Sequence, residues 1–321
     1  MTNDVGNFFI LGFDGISVPA SLKMLSKRHG LGGVILFDRN IESPWQLKRL
    51  TAQLQSLSPL GSLLISTDQE GGKFQRLRPP HFTAFPPACE VVIKTALDLG
   101  RRMGQELAEL GINVDFAPVL DVNTNPHNPI IGERSFGSDP QIVAEVGKLF
   151  VKGLQEKGVL ACGKHFPGHG DTDQDSHLTL PVVDQPLERL HTVELVPYRE
   201  LIGCGLRAIM TAHVLYPALD PEHPATFSSM ILCEILRKEL GFEGLVVTDD
   251  IGMAGSLSQA DLPEACIQAF AAGCDLLLVC EHHDRHEEII ESLRKAIHKS
   301  EVLKKRAWES SERLRRVTRD A

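Results

Sequence analysis

The 321-residue sequence lacks several features that would place it in a class at once. It has no excess of positive charge, since 33 Lys and Arg face 42 Asp and Glu, and this argues against a nucleic-acid-binding protein, which would show a basic face. It has no run of about 18 apolar residues, so no membrane span is expected. Its first residues lack the basic and apolar segments of a signal peptide. We therefore expect a cytoplasmic protein without nucleic-acid or membrane partners.

Two further absences concern cysteine pairing and domain boundaries. The seven cysteines are odd in number and scattered among apolar residues, which predicts reduced, mostly buried thiols of a cytoplasmic protein. No CxxC pair occurs, so a structural zinc is not expected. The sequence also has no low-complexity tract, internal repeat or break in composition. A single domain over residues 1–321 is the simplest interpretation.

Eight short apolar segments alternate with helix-like segments along the chain. They begin at Phe8, Gly33, Leu63, Val114, Gly158, Ala208, Leu245 and Asp275. Near-continuous apolar character is typical of strands buried on both faces, and the alternation predicts an α/β fold, a (β/α)8 barrel of the TIM type. A doubly wound open sheet is the alternative. No GxGxxG follows the first segment, and polar clusters follow most segments, which favours the barrel.

Some of the intervening helices have recognisable signals. Ser43-Pro44 and Asp139-Pro140 each place a capping side chain before a proline at the first helical position. Residues 187–202 are predicted to form one helix that bends at Pro197.

Residues 164–177 follow the fifth segment and carry a dense set of ionisable side chains. Pro167, Gly168 and Gly170 oppose helix and strand, so we predict a loop at a strand end, where scaffolds carry functional residues. Within it, Asp175 lies two residues before His177. The carboxylate can bond one ring nitrogen, orient the imidazole and favour its protonated form, which suits proton transfer near neutrality. A solvated turn is the alternative.

Asp249 and Asp250 come directly after the seventh segment. A carboxylate at the carboxyl end of a barrel strand is a candidate nucleophile or base. A helix N-cap is the alternative role, because aspartate oxygens bind free amides there. Two adjacent aspartates allow both, with one aimed into the barrel and one capping.

Other polar side chains follow strands three and five or lie further into long loops. They are Asp68, Lys164, His165, Arg76 and Arg134. Together they offer donors and an acceptor of the kind that binds sugar hydroxyls and amides. Surface ion pairs would equally explain the arginines, and Glu133 could simply pair with Arg134. Glu70 competes with Asp68 as a carboxylate of the reaction.

A metal site is an open alternative from the residues alone. The ligand-type side chains of the loop are His165, His169, Asp171 and His177. The spacing His-x-x-x-His can bind zinc, although Lys164 would be a poor neighbour for a cation.

Four motifs carry a family resemblance. They are Asp68-Gln69-Glu70-Gly71-Gly72 with Arg76, Gly132-Glu133-Arg134-Ser135-Phe136-Gly137, Lys164-His165-Phe166-Pro167-Gly168-His169-Gly170-Asp171-Thr172 with Asp175-Ser176-His177, and Thr248-Asp249-Asp250-Ile251-Gly252-Met253. In order and spacing they resemble the bacterial β-N-acetylhexosaminidases of glycoside hydrolase family 3, especially the single-domain members that act in peptidoglycan recycling. Thr248 stands where Ser is commoner in the family, and Ile251-Gly252 where Leu-Ser is commoner.

The resemblance implies a chemistry for these positions. Asp249 would be the nucleophile that forms a glycosyl-enzyme intermediate, and His177, oriented by Asp175, would be the acid/base. The residues that would bind N-acetylglucosamine are Asp68, Arg76, Arg134, Lys164 and His165. Neither a metal nor an organic cofactor is implied.

We therefore expect a retaining exo-β-N-acetylglucosaminidase, favoured as a monomer, that releases terminal β-linked N-acetylglucosamine from muropeptide-derived sugars. The alternatives are a β-glucosidase or an N-acetylglucosaminide phosphorylase of the same family, since a histidine acid/base repels incoming phosphate less than a carboxylate would. A non-catalytic sugar-binding protein on the same barrel is a third alternative.

Overall fold

The computed structural model describes residues 4–58, 63–173, 180–253 and 261–319. The strands in this part of the chain are β1 (Phe9–Leu11), β2 (Gly33–Leu36), β3 (Leu64–Thr67), β4 (Gln69–Gly71), β5 (Phe74–Gln75), β6 (Val114–Asp115), β7 (Leu160–Phe166), β8 (Ala208–Thr211), β9 (Leu245–Val247) and β10 (Leu277–Val279). Eight of them form one parallel sheet, and β4 and β5 form a separate antiparallel hairpin.

The parallel sheet closes into a barrel. Its strand order is β10-β1-β2-β3-β6-β7-β8-β9. The two end strands meet through a parallel bridge between Val247 and Leu276, where the Thr248 amide donates to the Leu276 carbonyl over 3.0 Å. This closure confirms the predicted (β/α)8 barrel and rules out an open sheet.

The barrel strands are buried on both faces, as their apolar sequences predict. Successive residues of β9 show the alternation. Leu245 and Val247 belong to the cluster inside the barrel, whereas Val246 belongs to the cluster between strands and helices. Val317, from the last helix, joins the inner cluster. That helix therefore contributes to the interior of the barrel.

The described helices surround the barrel. They are α1 (Ala20–His29), α2 (Pro44–Gln55), α3 (Ile93–Glu109), α4 (Pro140–Gln155), α5 (Leu187–Thr192), α6 (Val196–Gly203), a π-helix (Met230–Glu239), α7 (Leu262–Ala272), α8 (His286–Lys299) and α9 (Glu301–Arg319), with short 3-10 turns at Val5–Phe8, Asp38–Asn40, Ala88–Glu90, Gly132–Arg134 and Ala225–Phe227. No helix among the described residues is both long enough and apolar enough to cross a membrane.

The sequence predicted two helix caps correctly and one helix incorrectly. The Ser43 side chain accepts from the Gln46 amide over 3.2 Å, and the Asp139 side chain accepts from the Gln141 amide over 2.8 Å, so both predicted caps are confirmed. The prediction of a single bent helix over residues 187–202 is wrong. The structure has two helices, α5 and α6, and Pro197 lies in the first turn of α6, where a missing amide hydrogen costs nothing.

The cysteines are free and mostly buried. All seven lie in the described residues without a disulfide. Those that are buried are Cys162, Cys266, Cys274 and Cys280. Their environments agree with the prediction of buried thiols.

Asp275, just before β10, ties helix α9 to the barrel. Its Oδ2 accepts from Arg237 over 2.6 Å and from the Val246 amide over 3.0 Å. Its Oδ1 accepts from Arg306 over 2.9 Å and Arg313 over 3.2 Å. Burial lowers the pKa of Arg237 to about 10, Asp275 opposes this, and the other two arginines add to it. One buried carboxylate thus balances three crowded cations.

Replacing Asp275 with asparagine is expected to destabilise the fold by about 3–5 kcal/mol, because it leaves buried arginine charges uncompensated. Urea unfolding followed by circular dichroism measures this change. The control is Glu301→Gln on α9, which removes the exposed partner of Lys304 and should change stability by less than about 1 kcal/mol. Equal effects of the two substitutions would contradict the stabilising role of Asp275.

Candidate active site

A cavity of about 330 Å³ lies at the carboxyl ends of the barrel strands. Side chains that follow or end several strands line it, including Phe37 after β2, Asp68 after β3, His165 in β7, Asp249 after β9 and Cys280 after β10. The structure brings the five predicted sugar-binding residues and Asp249 into this one cavity. Asp68, Lys164, His165 and Asp249 meet there because a closed barrel directs every strand end to one mouth. Arg76, after the β4–β5 hairpin, and Arg134, in the turn Gly132–Arg134, reach it from the connections between strands.

Five charged side chains form a chain of alternating sign along one wall. Arg134 binds Glu70 through two hydrogen bonds, both of 2.8 Å. Glu70 also pairs with Lys164 at 2.7 Å, and Lys164 donates to Asp68 over 2.9 Å. Asp68 in turn accepts from Arg76 over 3.3 Å. The candidate sugar-binding side chains therefore hold one another in place.

The structure distinguishes the two carboxylates that compete in the sequence. Both carboxylates have both oxygens bound, but the Glu70 side chain is 5% exposed and the Asp68 side chain is 20% exposed. Burial would raise the pKa of Glu70, but Arg134 and Lys164 hold it well below its usual range. Burial would lower the pKa of Lys164, but Asp68 and Glu70 raise it. Glu70 and Lys164 are therefore charged at neutral pH, and Asp68 is the more accessible carboxylate.

His165 is held by Asp121, a residue that the sequence analysis did not single out. The buried Asp121 carboxylate lies 2.8 Å from His165 Nδ1 and accepts from the amides of His165, over 3.1 Å, and His169, over 2.6 Å. Burial would raise the pKa of Asp121, but His165 and His169 lower it. Because the Asp121 carboxylate is ionised, it accepts a hydrogen bond from the proton on His165 Nδ1, and His165 Nε2 is left to interact with a ligand in the cavity. Asp121 follows the fourth strand segment, which was the available signal.

Asp249 and Asp250 have different surroundings. The Asp250 amide donates to Asp249 Oδ1 over 2.8 Å. Asp250 Oδ1 accepts from the amides of Gly252 and Cys280, each over 3.1 Å, so it fixes the following turn and the end of β10. Asp249 thus lines the cavity with its Oδ1 positioned by the backbone. Asp250 also lines the cavity, but its side chain is bound to the amides of the following turn and of Cys280.

The pKa values of the two aspartates shift in opposite directions. Burial would raise the pKa of Asp249, but His165, His213, the Asp250 amide and Lys164 together lower it. Burial raises the pKa of Asp250, and the negative charge of Asp249 adds to this. Burial lowers the pKa of His213, whose Nε2 lies 3.1 Å from the Asp250 carbonyl. Asp249 is therefore an ionised carboxylate at neutral pH.

Residues 164–166, which we predicted to begin a loop, belong to a strand. Lys164, His165 and Phe166 continue strand β7, with a register shift against β8 between Gly163 and Phe166. Both Lys164 and His165 are buried there, so their positions are set by the sheet rather than by a loop.

His169 and Asp171, the ligand-type side chains in the described residues beyond Phe166, both bind other side chains of the protein. His169 Nδ1 lies 2.8 Å from Thr172 Oγ1, and burial lowers the pKa of His169 to about 4. Asp171 accepts from Thr124 and Gln185, each over 2.7 Å, and from Arg189 over 3.0 Å. Among the residues described, no group of three or more His, Cys, Asp or Glu is arranged to hold a metal ion.

Two of the predicted catalytic residues cannot be placed. Asp175 and His177 lie in residues 174–179, outside the described part of the chain.

The chain is similar to several known proteins over most of its length. Residues 13–317 match the glycosyl hydrolase family 3 N-terminal domain. A β-hexosaminidase from Nitrosomonas eutropha is 41% identical over 275 residues, which cover 82% of this chain and 78% of that protein. A β-hexosaminidase from Alkalilimnicola ehrlichii is 40% identical over 294 residues, covering 88% of this chain and 83% of that protein.

Two solved structures are similar over the whole barrel. A family 3 β-N-acetylglucosaminidase from Paenibacillus sp. FPU-7 is 40% identical with a TM-score of 0.93, and this chain covers 62% of that longer chain and is itself covered completely. NagZ from Neisseria gonorrhoeae, solved in complex with N-trifluoroacetyl-D-glucosamine, is 34% identical with a TM-score of 0.81, covering 99% of this chain and 95% of that one. The chain therefore belongs to glycosyl hydrolase family 3 and is a glycoside hydrolase related to the β-hexosaminidases.

Proposed function

We propose that this protein is a retaining exo-β-N-acetylglucosaminidase, acting as a single barrel domain over residues 1–321. The observation that carries the proposal is an ionised Asp249 in the same cavity as a chain of sugar-binding side chains. A volume of about 330 Å³ is at the lower end for small-molecule sites. It suits one terminal sugar better than the interior of a polymer.

The first step is displacement of the aglycone by Asp249. The Asp250 amide binds Asp249 Oδ1, so Oδ2 is the oxygen that attacks the anomeric carbon. The C–O bond to the aglycone breaks as His177 gives its proton to the leaving oxygen. The low pKa of Asp249 keeps the carboxylate unprotonated for this attack. The product is a glycosyl ester of Asp249.

The second step is hydrolysis of that ester. His177, now neutral and oriented by Asp175, takes a proton from water while the water oxygen attacks the anomeric carbon. The ester bond breaks and Asp249 is released as a carboxylate. Two inversions leave the β configuration unchanged, as in other retaining glycosidases.

The sugar hydroxyls and the acetamide are bound by side chains along the cavity wall. Asp68 and Arg76 are the most exposed of the charged chain, at 20% and 28%, and so supply the accessible acceptor and donor. Lys164 and Arg134 lie deeper. His165, with Nδ1 committed to Asp121, offers Nε2. No step of this chemistry requires a metal or an organic cofactor.

The proposed natural substrate is a muropeptide-derived sugar in the cytoplasm. The similarity to NagZ of Neisseria gonorrhoeae supports this choice, since that enzyme was solved with an N-acylated glucosamine. The resemblance to single-domain enzymes of peptidoglycan recycling points to the same class. The acetamide-bearing ring is the part that the cavity recognises.

Wild-type enzyme is expected to hydrolyse an aryl β-N-acetylglucosaminide with kcat/KM at least about 100-fold above that of the matching β-glucoside, because the site binds the acetamide in the transition state. Release of the phenol, measured in buffers with and without phosphate, tests this. Equal turnover of the glucoside would indicate a β-glucosidase. Sugar 1-phosphate would indicate a phosphorylase, and binding without turnover a sugar-binding protein.

A further inference from the structure

Glu70 is the carboxylate of the charged chain that lies between Arg134 and Lys164. Its Oε1 contacts both Lys164, at 2.7 Å, and Arg134, at 2.8 Å, while its Oε2 contacts Arg134 at 2.8 Å. The Arg134 guanidinium also lies 4.7 Å from the centre of the Phe74 ring. Glu70 is thus enclosed by the two cations that it binds.

The two cations depend on Glu70 for their placement. Lys164 and Arg134 are both largely buried, with side chains 3% and 10% exposed. Buried like charges side by side repel each other strongly unless a carboxylate lies between them. A carboxylate held by a guanidinium through two parallel hydrogen bonds also fixes the orientation of the arginine.

We propose that Glu70 is an internal counter-anion, a positioning residue that holds Lys164 and Arg134 for a neutral sugar and keeps external anions out of their site. This inference deepens the proposed function and rests on it for its kinetic part. Glu70 does not touch the reacting atoms. Its carboxylate occupies the place that a substrate or buffer anion would otherwise take between the two cations.

The substitution Glu70→Ala vacates a site of carboxylate size flanked by a guanidinium and an ammonium. We expect KM for the aryl β-N-acetylglucosaminide to rise by roughly 30- to 100-fold, because charge-assisted contacts that orient the binding groups are lost. We expect kcat to change much less, since Asp249 is untouched. Added formate should return most of the lost affinity with a saturable dose dependence, whereas chloride at equal concentration should not, because a spherical ion does not fit the guanidinium fork.

A second readout does not depend on activity. Formate should raise the Tm of Glu70→Ala and leave that of the wild type unchanged, since only the variant has the vacated site. If the wild type fails to hydrolyse the N-acetylglucosaminide, the proposed function fails, while the formate-dependent Tm still decides the role of Glu70.

The matched control is Glu133→Ala. Glu133 adjoins Arg134 in sequence but pairs with the exposed Lys73 at 3.2 Å, so its loss should alter neither KM nor the response to formate. Should Glu70→Ala not fold, Glu70→Gln keeps the volume and removes only the charge, and it should show the same rise in KM. Wild-type KM in either Glu70 variant, or a folded Glu70→Ala that formate neither rescues nor stabilises, would overturn the proposal.

Discussion

Replacing Asp249 with alanine is expected to lower kcat/KM for an aryl β-N-acetylglucosaminide by on the order of 10⁵-fold. The substitution removes the attacking oxygen, so the anomeric carbon can react only with water and without a covalent intermediate. The measurement is phenol release at high enzyme concentration. Binding of N-acetylglucosamine should persist, because the proposed sugar-binding side chains that line the same cavity are unchanged.

The adjacent aspartate supplies the control for this result. In Asp250→Asn the side-chain carbonyl can still accept from the amides of Gly252 and Cys280, so the turn is kept. We expect a loss of at most about tenfold. If Asp250→Asn were the inactive variant and Asp249→Ala retained near-normal activity, the assignment of the nucleophile would be wrong.

Replacing His177 with alanine is expected to produce a loss that depends on the leaving group. For alkyl or other poor leaving groups, kcat/KM should fall by about 10²- to 10⁴-fold, because the departing oxygen no longer receives a proton. For an activated aryl group such as dinitrophenol, which leaves without a proton, the first step should be nearly unaffected. The measurement is kcat/KM for a series of aryl N-acetylglucosaminides of increasing phenol pKa, which gives the slope of log kcat/KM against the pKa of the leaving phenol.

The slope separates a proton-transfer role from general damage to the site. Asp175→Asn should show the same dependence on the leaving group with a smaller loss, because it disturbs the orientation of His177 rather than removing it. A loss of the same size for every leaving group would contradict an acid role for His177.

The architecture could be predicted from the sequence because it rests on local patterns. Eight near-continuous apolar segments with helices between them leave few folds other than a closed parallel barrel. The carboxyl end of each segment then marks where a side chain reaches the shared mouth. For this reason Asp68, Lys164 and Asp249 could be picked out from their places in the sequence and are found together.

The partnerships within the site could not be predicted in the same way. Lys164 meets Asp68 across 96 positions and Arg134 meets Glu70 across 64. Such contacts depend on strand register and on the path of the β4–β5 hairpin. The sequence therefore left Asp68 and Glu70 as competitors, whereas their burial and hydrogen bonds give them different roles.

Two further differences have the same origin. Asp121 follows the fourth strand segment, but only the packing of the strand ends shows that it holds His165. Pro167, Gly168 and Gly170 led us to predict a loop from Lys164 onward. Instead, pairing with β8 extends β7 to Phe166. In β7, tertiary hydrogen bonding outweighed the local signal.

The central claim is that Asp249 becomes covalently linked to the sugar. The most direct test is mass spectrometry of the enzyme after reaction with a slow fluorinated N-acetylglucosaminide that carries an activated leaving group. We predict the addition of one sugar per chain, located on the peptide that contains Asp249 and absent from Asp249→Ala. A sugar attached to any other residue, or turnover of the reagent without a trapped intermediate, would contradict the account.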